Sequence, residues 1–177
     1  MPRAIDSVPH RGEVEIIVID DCSTDDTLNR LKKRQDIRLL YNTKNMGVGY
    51  TVNQGLDNAS GDYIVQLDSD DYFTEGFLTV MDMLDGTDMV YFDMVSPKRT
   101  WKINENTKRG YCGAVKFIRR AFIGETRCPR IRHAEDWHFY RELLAKNPTE
   151  VFTGIAVKFY NYPRQGSLTW EALHEQQ

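Results

Sequence analysis

Short apolar segments alternate with segments of helical pattern along the first 95 residues, and this alternation limits the fold more than any other feature. Each apolar segment is five to eight residues long, rich in Ile, Val and Tyr, and bounded by charged or polar residues. The predicted strands are Glu13–Asp20, Ile37–Tyr41, Asp62–Leu67 and Asp88–Met94. The predicted helices run from a cap at Ser23 or Thr24 to about Arg34, over about Tyr50–Asn58, and from a cap at Thr74 to about Leu84. Strands joined by helices of about ten residues predict an α/β fold, with a mostly parallel sheet and flanking helices.

The pattern changes after Pro97, but no repeat or linker separates the two parts of the chain. We predict a helix at Ala114–Phe122, a loop at Glu125–His133, a helix at Ala134–Lys146 and a closing strand at Val151–Tyr160. The chain is therefore interpreted as one domain over 1–177. It has a front half at 1–96, a back half at 97–170 and a loose tail at 171–177.

The composition is that of a globular domain and argues against a secreted, fibrous or membrane-spanning protein. Hydrophobic residues make up 41% and charged residues 28% of the 177 residues. No apolar run approaches the ~18 residues that a membrane span needs. The three cysteines are an odd number without metal-type spacing, which favours reduced thiols. We expect a cytoplasmic protein without a membrane span, with peripheral association with a membrane as an open alternative.

Charge is distributed unevenly, although the formal net charge is only −3. Ten acids and no Lys or Arg lie between Lys44 and Lys98, whereas eleven Lys and Arg face two acids between Pro97 and His133. The acids are expected to form a solvated face or to be neutralised by a bound cation. The basic segment is expected to be either a surface for phosphate or another anion, or a solvated face.

Two acidic clusters follow predicted strands, at Asp20–Asp21 and at Asp68–Asp71. Ligands of open parallel sheets bind beyond the carboxyl ends of the strands, so both clusters should open on the same edge. Carboxylates on a turn suit Mg²⁺ or Mn²⁺ shared with a substrate's phosphates. A response-regulator receiver domain has a similar arrangement, but no Lys here is followed by Pro, and the chain continues past the length of a receiver.

Four motifs resemble the family 2 glycosyltransferases of the GT-A fold. They are EIIVIDDCSTDDT from Glu15, NTKNMGVGYTVNQGLDNASGDYIVQLDSDDYF from Asn42, AEDWHFYRELL from Ala134 and YNYPRQGSLT from Tyr160. Their order and spacing match the family from about Ala4 to Thr169. The resemblance implies an inverting transfer of a single sugar from a nucleoside diphosphate-sugar to an acceptor hydroxyl.

The resemblance also implies roles for individual residues. Asp20, with Asp21 beside it, would hold the nucleoside, and a carboxylate reading an imide N–H favours uracil or thymine. The residues implied to shape the turn that binds the nucleotide-sugar are Asn45, Gly47 and Asn53. Asp68 and Asp70 would form the D-x-D pair that holds Mn²⁺ or Mg²⁺ on the diphosphate, with Asp70 as the main ligand and Asp68 also near the ribose or sugar.

The acceptor side is implied to lie in the back half. Asp136 would be the general base that inversion requires, with Glu135 as the fallback, and Arg164 would approach the phosphates. Trp137 is expected to pack in the core, with a place in the acceptor platform as the alternative. The basic segment favours a phosphate-bearing acceptor: a glycan, a lipid-linked glycan or a modified nucleic acid.

One departure concerns the first strand of the family. Only Ala4–Val8 resembles the end of the helix that normally precedes Glu15, and the usual N-terminal strand has no counterpart. A sheet without that strand is expected to expose an edge, which predicts pairing with a second copy in a homodimer. The departure leaves open a naturally minimal enzyme, a truncated chain, or a catalytically inactive nucleotide-sugar-binding or scaffold relative.

Overall fold

Most predicted elements of the chain are present in the computed structural model, which describes residues 2–110, 113–131 and 133–161. The strands are β1 (Ile17–Asp20), β2 (Arg38–Tyr41), β3 (Tyr63–Ile64), β4 (Tyr72–Phe73), β5 (Met89–Val95), β6 (Thr100–Trp101), β7 (Lys116–Arg119) and β8 (Glu150–Phe159). The helices are α1 (Pro2–Asp6), α2 (Thr27–Leu31), α3 (Val48–Asn58), α4 (Gly76–Met81), α5 (Arg120–Ile123) and α6 (Glu135–Leu144), with a 3-10 turn at Lys108–Gly110. Among these helices, none has the length and apolar character needed to cross a membrane.

The strands form two sheets within the described residues. β1 and β2 pair in parallel as one sheet, and the larger sheet has the order β3-β7-β5-β8-β4, with β6 added to β5. In the larger sheet β5 and β8 are parallel, and the other pairs are antiparallel. The α/β fold with flanking helices is confirmed, and its sheet is mixed. β7 pairs antiparallel with β5, and the described residues between the two strands form a short strand and a 3-10 turn without a helical crossover.

The core is built around β5. Every residue from Met89 to Met94 is buried, including Tyr91 and Phe92 at 0% exposure. The sequence of a strand that is buried on both faces is a nearly continuous apolar run, which explains why this strand was predictable. Val80 of α4, Leu143 of α6 and Val157 of β8 belong to the same buried cluster.

The prediction of a helix at Ala114–Phe122 is wrong. Lys116–Arg119 is strand β7, and a short helix follows only at Arg120–Ile123. β7 lies between β3 and β5, where Val115 and Phe117 are buried. β7 pairs on both edges and has consecutive buried residues, so apolar and polar residues do not alternate along it. The spacing of its apolar residues therefore resembled that of a helix.

Part of the basic segment neutralises acids of the front half through pairs that are distant in sequence. Arg119 binds Asp88 at 2.5 Å, and Arg127 binds Asp57 at 2.7 Å. Within the back half, the buried Lys108 lies 2.5 Å from Glu150. The two halves are therefore joined by ion pairs, and these basic side chains are engaged within the fold.

Gly76, at the start of α4, provides a test of the packing between α4 and β8. A Cβ at Gly76 would lie 2.2 Å from the carbonyl oxygen of Ala156, a backbone atom that two neighbouring strands hold in place. We expect Gly76→Ala to lower the free energy of unfolding by about 1–3 kcal/mol, measured by urea denaturation. Gly12→Ala is the matched control, because nothing lies within 4 Å of its Cβ position. Equal midpoints for the two variants would contradict this packing.

Candidate functional site

Asp20 ends β1 as a buried carboxylate. It is 2% exposed, and it accepts hydrogen bonds from the backbone N–H of Ser23 at 3.1 Å and from the Ser23 hydroxyl. The carboxylate therefore closes the turn that leaves the strand. Its predicted role in holding a nucleoside stays a prediction.

Asp21 links the end of β1 to the turn before α3. Its carboxylate accepts hydrogen bonds from the backbone N–H groups of Met46 and Gly47 and from the side-chain amide of Asn42, at 2.8–3.1 Å. Gly47 has φ of +85°, a conformation that favours glycine, and Asn45 is exposed beside it. Asp21 thus places a negative charge at the N-terminus of α3, where the helix dipole favours it.

Asn53 joins α3 to the loop that precedes α6. Its amide donates to the carbonyl oxygen of Cys128 and accepts from the N–H of Cys128, both at 2.8 Å. Gly49, one turn earlier, permits close approach of the same loop, because a Cβ there would lie 2.4 Å from the carbonyl oxygen of Pro129. The structure gives Asn53 a positioning contact, and its predicted contact with the nucleotide-sugar stays a prediction.

The acidic turn Asp68–Asp71 lies between β3 and β4 and surrounds a buried lysine from β8. Lys158 Nζ lies 2.8 Å from Asp68 Oδ2 and 2.8 Å from Asp71 Oδ2. The side chain of Lys158 is 3% exposed, that of Asp71 is 1% exposed, and that of Asp68 is 46% exposed. Burial alone would lower the pKa of Lys158, but the charges of Asp68 and Asp71 outweigh it and raise that pKa, so the ammonium stays charged.

Asp136 and Glu135 form the first turn of α6. Asp136 is exposed, its Oδ1 accepts the Trp137 N–H at 2.7 Å, and a Cβ at Gly113 would lie 3.4 Å from its Oδ2. Burial raises the pKa of Glu135, and the charge of Asp136 adds to this effect. Asp136 is therefore the more accessible of the two carboxylates.

Trp137 corrects the expectation that it packs in the core. Its side chain remains 40% exposed, with Arg141 stacked 4.6 Å from the ring centroid. An exposed ring directly after Asp136 is available to a ligand.

The described contacts join the predicted residues into two groups. One runs from Asp20–Asp21 through the turn before α3 and the Asn53 contact to the first turn of α6. The other is the acidic turn with Lys158 and the end of β8. Arg164 lies outside the described residues. A surface cavity beside α3 and α5, lined by Leu56, Ile64 and Arg120 among others, contains none of the predicted residues.

Lys158 was missed because its partners, Asp68 and Asp71, are far away in the sequence, with Asp68 at a distance of 90 residues. The available signal was a single charged residue inside the apolar closing strand, in the sequence IAVKFY. A lysine in a buried strand requires a partner, but the sequence does not say which one.

In comparisons with known proteins, the relatives of this chain are glycosyltransferases. Residues 1–154 match the family model described as glycosyl transferase family 2. An uncharacterized glycosyltransferase of Haemophilus influenzae is 41% identical over 63 residues, which are 33% of this chain and 25% of that protein. The poly(ribitol-phosphate) beta-N-acetylglucosaminyltransferase TarS of Staphylococcus aureus is 39% identical over 69 residues, which are 37% of this chain and 12% of TarS. The matches thus span a quarter or less of these two relatives.

Solved structures share the fold. TarS residues 1–349, in complex with UDP-GlcNAc, superpose with a TM-score of 0.76 at 23% identity, covering 94% of this chain and 55% of that one. A mannosyltransferase from Pyrobaculum calidifontis, in complex with GDP-Man and Mn²⁺, superposes with a TM-score of 0.67 at 19% identity, covering 89% of this chain and 50% of that one. These likenesses confirm the expected GT-A fold.

The Asn53 contact can be tested by its removal. Asn53→Ala leaves the backbone N–H and carbonyl of Cys128 without their partner, and we expect a loss of about 1–3 kcal/mol in the free energy of unfolding. Asn29→Ala is the matched control, because Asn29 is exposed and its amide donates only to the neighbouring Asp26 side chain. Urea denaturation measures both. Similar small losses would show that the contact contributes little.

Proposed function

This chain belongs to glycosyl transferase family 2, and on that premise we propose that it transfers a single sugar from a nucleoside diphosphate-sugar to an acceptor hydroxyl. The proposal includes inversion at the anomeric carbon and a preference for UDP or dTDP. It also includes the cytoplasmic location predicted from the sequence. The observation that carries it is the acidic turn Asp68–Asp71, a cluster of carboxylates at the point where the family motif places the donor's diphosphate.

The donor side is assigned to the front half. We assign Asp20 to the nucleoside, Asn45 and Gly47 to the turn that faces the nucleotide-sugar, and Asp21 and Asn53 to holding this turn. The UDP-GlcNAc complex of TarS supports a uridine nucleotide as the donor. The interior hydrogen bonds of Asp21 and Asn53 keep the turn in one arrangement before the donor binds.

A divalent cation, Mn²⁺ or Mg²⁺, fits the acidic turn only if the donor shares it. Among the described residues there is no group of three or more His, Cys, Asp or Glu able to hold a metal. Such ions are commonly bound by one or two carboxylates together with substrate phosphates, and Asp70 is the carboxylate we assign, with Asp68 beside it. When bound, the ion would stabilise the charge that develops on the leaving diphosphate. The Mn²⁺ complex of the Pyrobaculum mannosyltransferase supports this assignment.

Asp136 is assigned as the general base. It is exposed, it lies in the first turn of a helix, and it lies beside an exposed tryptophan that suits the face of a sugar ring. Its carboxylate would accept the proton of the acceptor hydroxyl as the new glycosidic bond forms, while the diphosphate leaves from the opposite face. Glu135 is less exposed and stays the fallback.

The acceptor is proposed to carry phosphate. Lys98, Arg99, Lys102 and Arg109 are exposed basic residues of the back half. TarS is named for a poly(ribitol-phosphate) acceptor, and a Campylobacter jejuni relative for an undecaprenol-linked diphosphate glycan. A glycan or lipid-linked glycan is therefore favoured over a modified nucleic acid.

Donor binding can be tested by calorimetric titration of UDP, dTDP, GDP and CDP, each with and without Mn²⁺. We expect UDP or dTDP to bind, and Mn²⁺ to strengthen binding in the wild type but not in Asp70→Ala, because the assigned metal ligand is gone. Asp82→Ala, which removes an exposed carboxylate elsewhere, should behave as the wild type. Equal Mn²⁺ dependence in Asp70→Ala and the wild type would contradict the metal assignment.

The base can be tested by UDP release from UDP-GlcNAc in the presence of poly(ribitol phosphate) or an undecaprenyl diphosphate glycan. Asp136→Asn should lower kcat by about 10²- to 10⁴-fold while calorimetric UDP binding is unchanged, because only proton transfer is lost. Glu135→Gln should have the smaller effect, and the reverse order would move the assignment to Glu135. Donor binding without turnover on any acceptor would instead favour a catalytically inactive nucleotide-sugar-binding relative.

A further inference from the structure

Lys158 is fixed in the fold before its side chain reaches the acidic turn. Its backbone lies between two strands, in register with Met94 of β5 on one side and Phe73 of β4 on the other. Asp71 directly precedes β4, and its Oδ1 accepts the backbone N–H of Asn161 at 2.9 Å. The ammonium and the acidic turn are therefore held by the same three strands, and their contact does not depend on a mobile surface side chain.

The ion pairs involve the two outer carboxylates of the turn. Lys158 Nζ lies 2.8 Å from an oxygen of Asp68 and 2.8 Å from an oxygen of Asp71. No Lys or Arg lies between Lys44 and Lys98 in the sequence, so this cation comes from a distant strand. A 3%-exposed ammonium at this position needs both carboxylates to offset its loss of hydration.

We propose that Lys158 is a positioning residue that engages Asp68 and Asp71 and thereby makes tight binding of a divalent cation depend on the donor. The inference rests on the proposed function, since it concerns the same donor site. A carboxylate oxygen that faces an ammonium is a poorer metal ligand, and the ammonium also repels a second cation nearby. The metal that we assign to Asp70 would then be held firmly only when the diphosphate adds its own oxygens.

This arrangement has a thermodynamic signature. If the metal is weakly bound alone and tightly bound with the nucleotide, each must strengthen the binding of the other by the same factor. Removal of the Lys158 charge should release Asp68 to the metal. Binding of Mn²⁺ alone then becomes tighter, and the strengthening by UDP becomes smaller.

The test is a titration of Mn²⁺ followed by electron paramagnetic resonance, with and without UDP. We expect Lys158→Met to bind Mn²⁺ alone about tenfold more tightly than the wild type, because one positive charge close to the metal is removed. The ratio of Mn²⁺ affinities with and without UDP should fall by a similar factor. Lys33→Met, which removes an exposed lysine after α2, is the matched control and should leave both values unchanged.

A second variant controls for loss of folding, because Lys158→Met alone leaves the buried carboxylate of Asp71 without its ion-pair partner. Lys158→Met/Asp71→Asn removes both buried charges, and circular dichroism reports whether it folds. It should still bind Mn²⁺ alone more tightly than the wild type, because Asp68 is released. A folded double variant with unchanged or weaker Mn²⁺ affinity would overturn the proposal. Failure of UDP to bind the wild type under any condition would contradict the donor site itself, and the Mn²⁺-alone comparison would still decide the role of Lys158.

Discussion

The pairing of β8 with both β5 and β4 is the constraint on which the rest of the molecule depends. β8 returns the chain from the back half into the middle of the larger sheet, parallel to the fully buried β5. This return places Glu150 against the buried Lys108 at one end of the strand and Lys158 against the acidic turn at the other. The back half therefore forms part of the core, and its last strand completes the surroundings of the turn on which the proposed chemistry depends.

The acidic residues of the candidate site are stabilised in two different ways, by backbone N–H donors in one place and by a lysine in the other. The carboxylate of Asp21 is satisfied by backbone N–H groups and holds the turn before α3. The carboxylates of Asp68 and Asp71 pair with an ammonium, and Asp71 also accepts the backbone N–H of Asn161. Backbone N–H donors hold a carboxylate in position. A lysine also holds the carboxylate in position, and in addition it reduces the net negative charge available to a cation that binds there.

Local signals in the sequence predicted the strand β1 with Asp20 at its end, the helix α3 and the helix α6 with Asp136 in its first turn, whereas β3 is shorter than predicted and ends at Ile64. β-branched runs and helical periodicity act over about ten residues, so these elements could be predicted from the local sequence. Lys158, the Asn53 contact with Cys128 and the strand β7 could not be predicted, because each depends on a partner at least 25 residues away. The same limit explains why the front-half acids seemed to lack partners, although Arg119 and Arg127 neutralise two of them.

Polar contacts, rather than strand pairing, connect the two sheets in the part of the chain that the structure describes. The carboxylate of Glu15, just before β1, accepts hydrogen bonds from the backbone N–H groups of Ser60 and Gly61, just before β3. Arg38 of β2 reaches the end of α3 at Asn58. These exposed contacts are few, and each is individually weak in water. The position of Asp20 relative to the acidic turn is therefore set by side-chain contacts, to which the Asn53 contact with Cys128 and the Arg127–Asp57 ion pair also contribute.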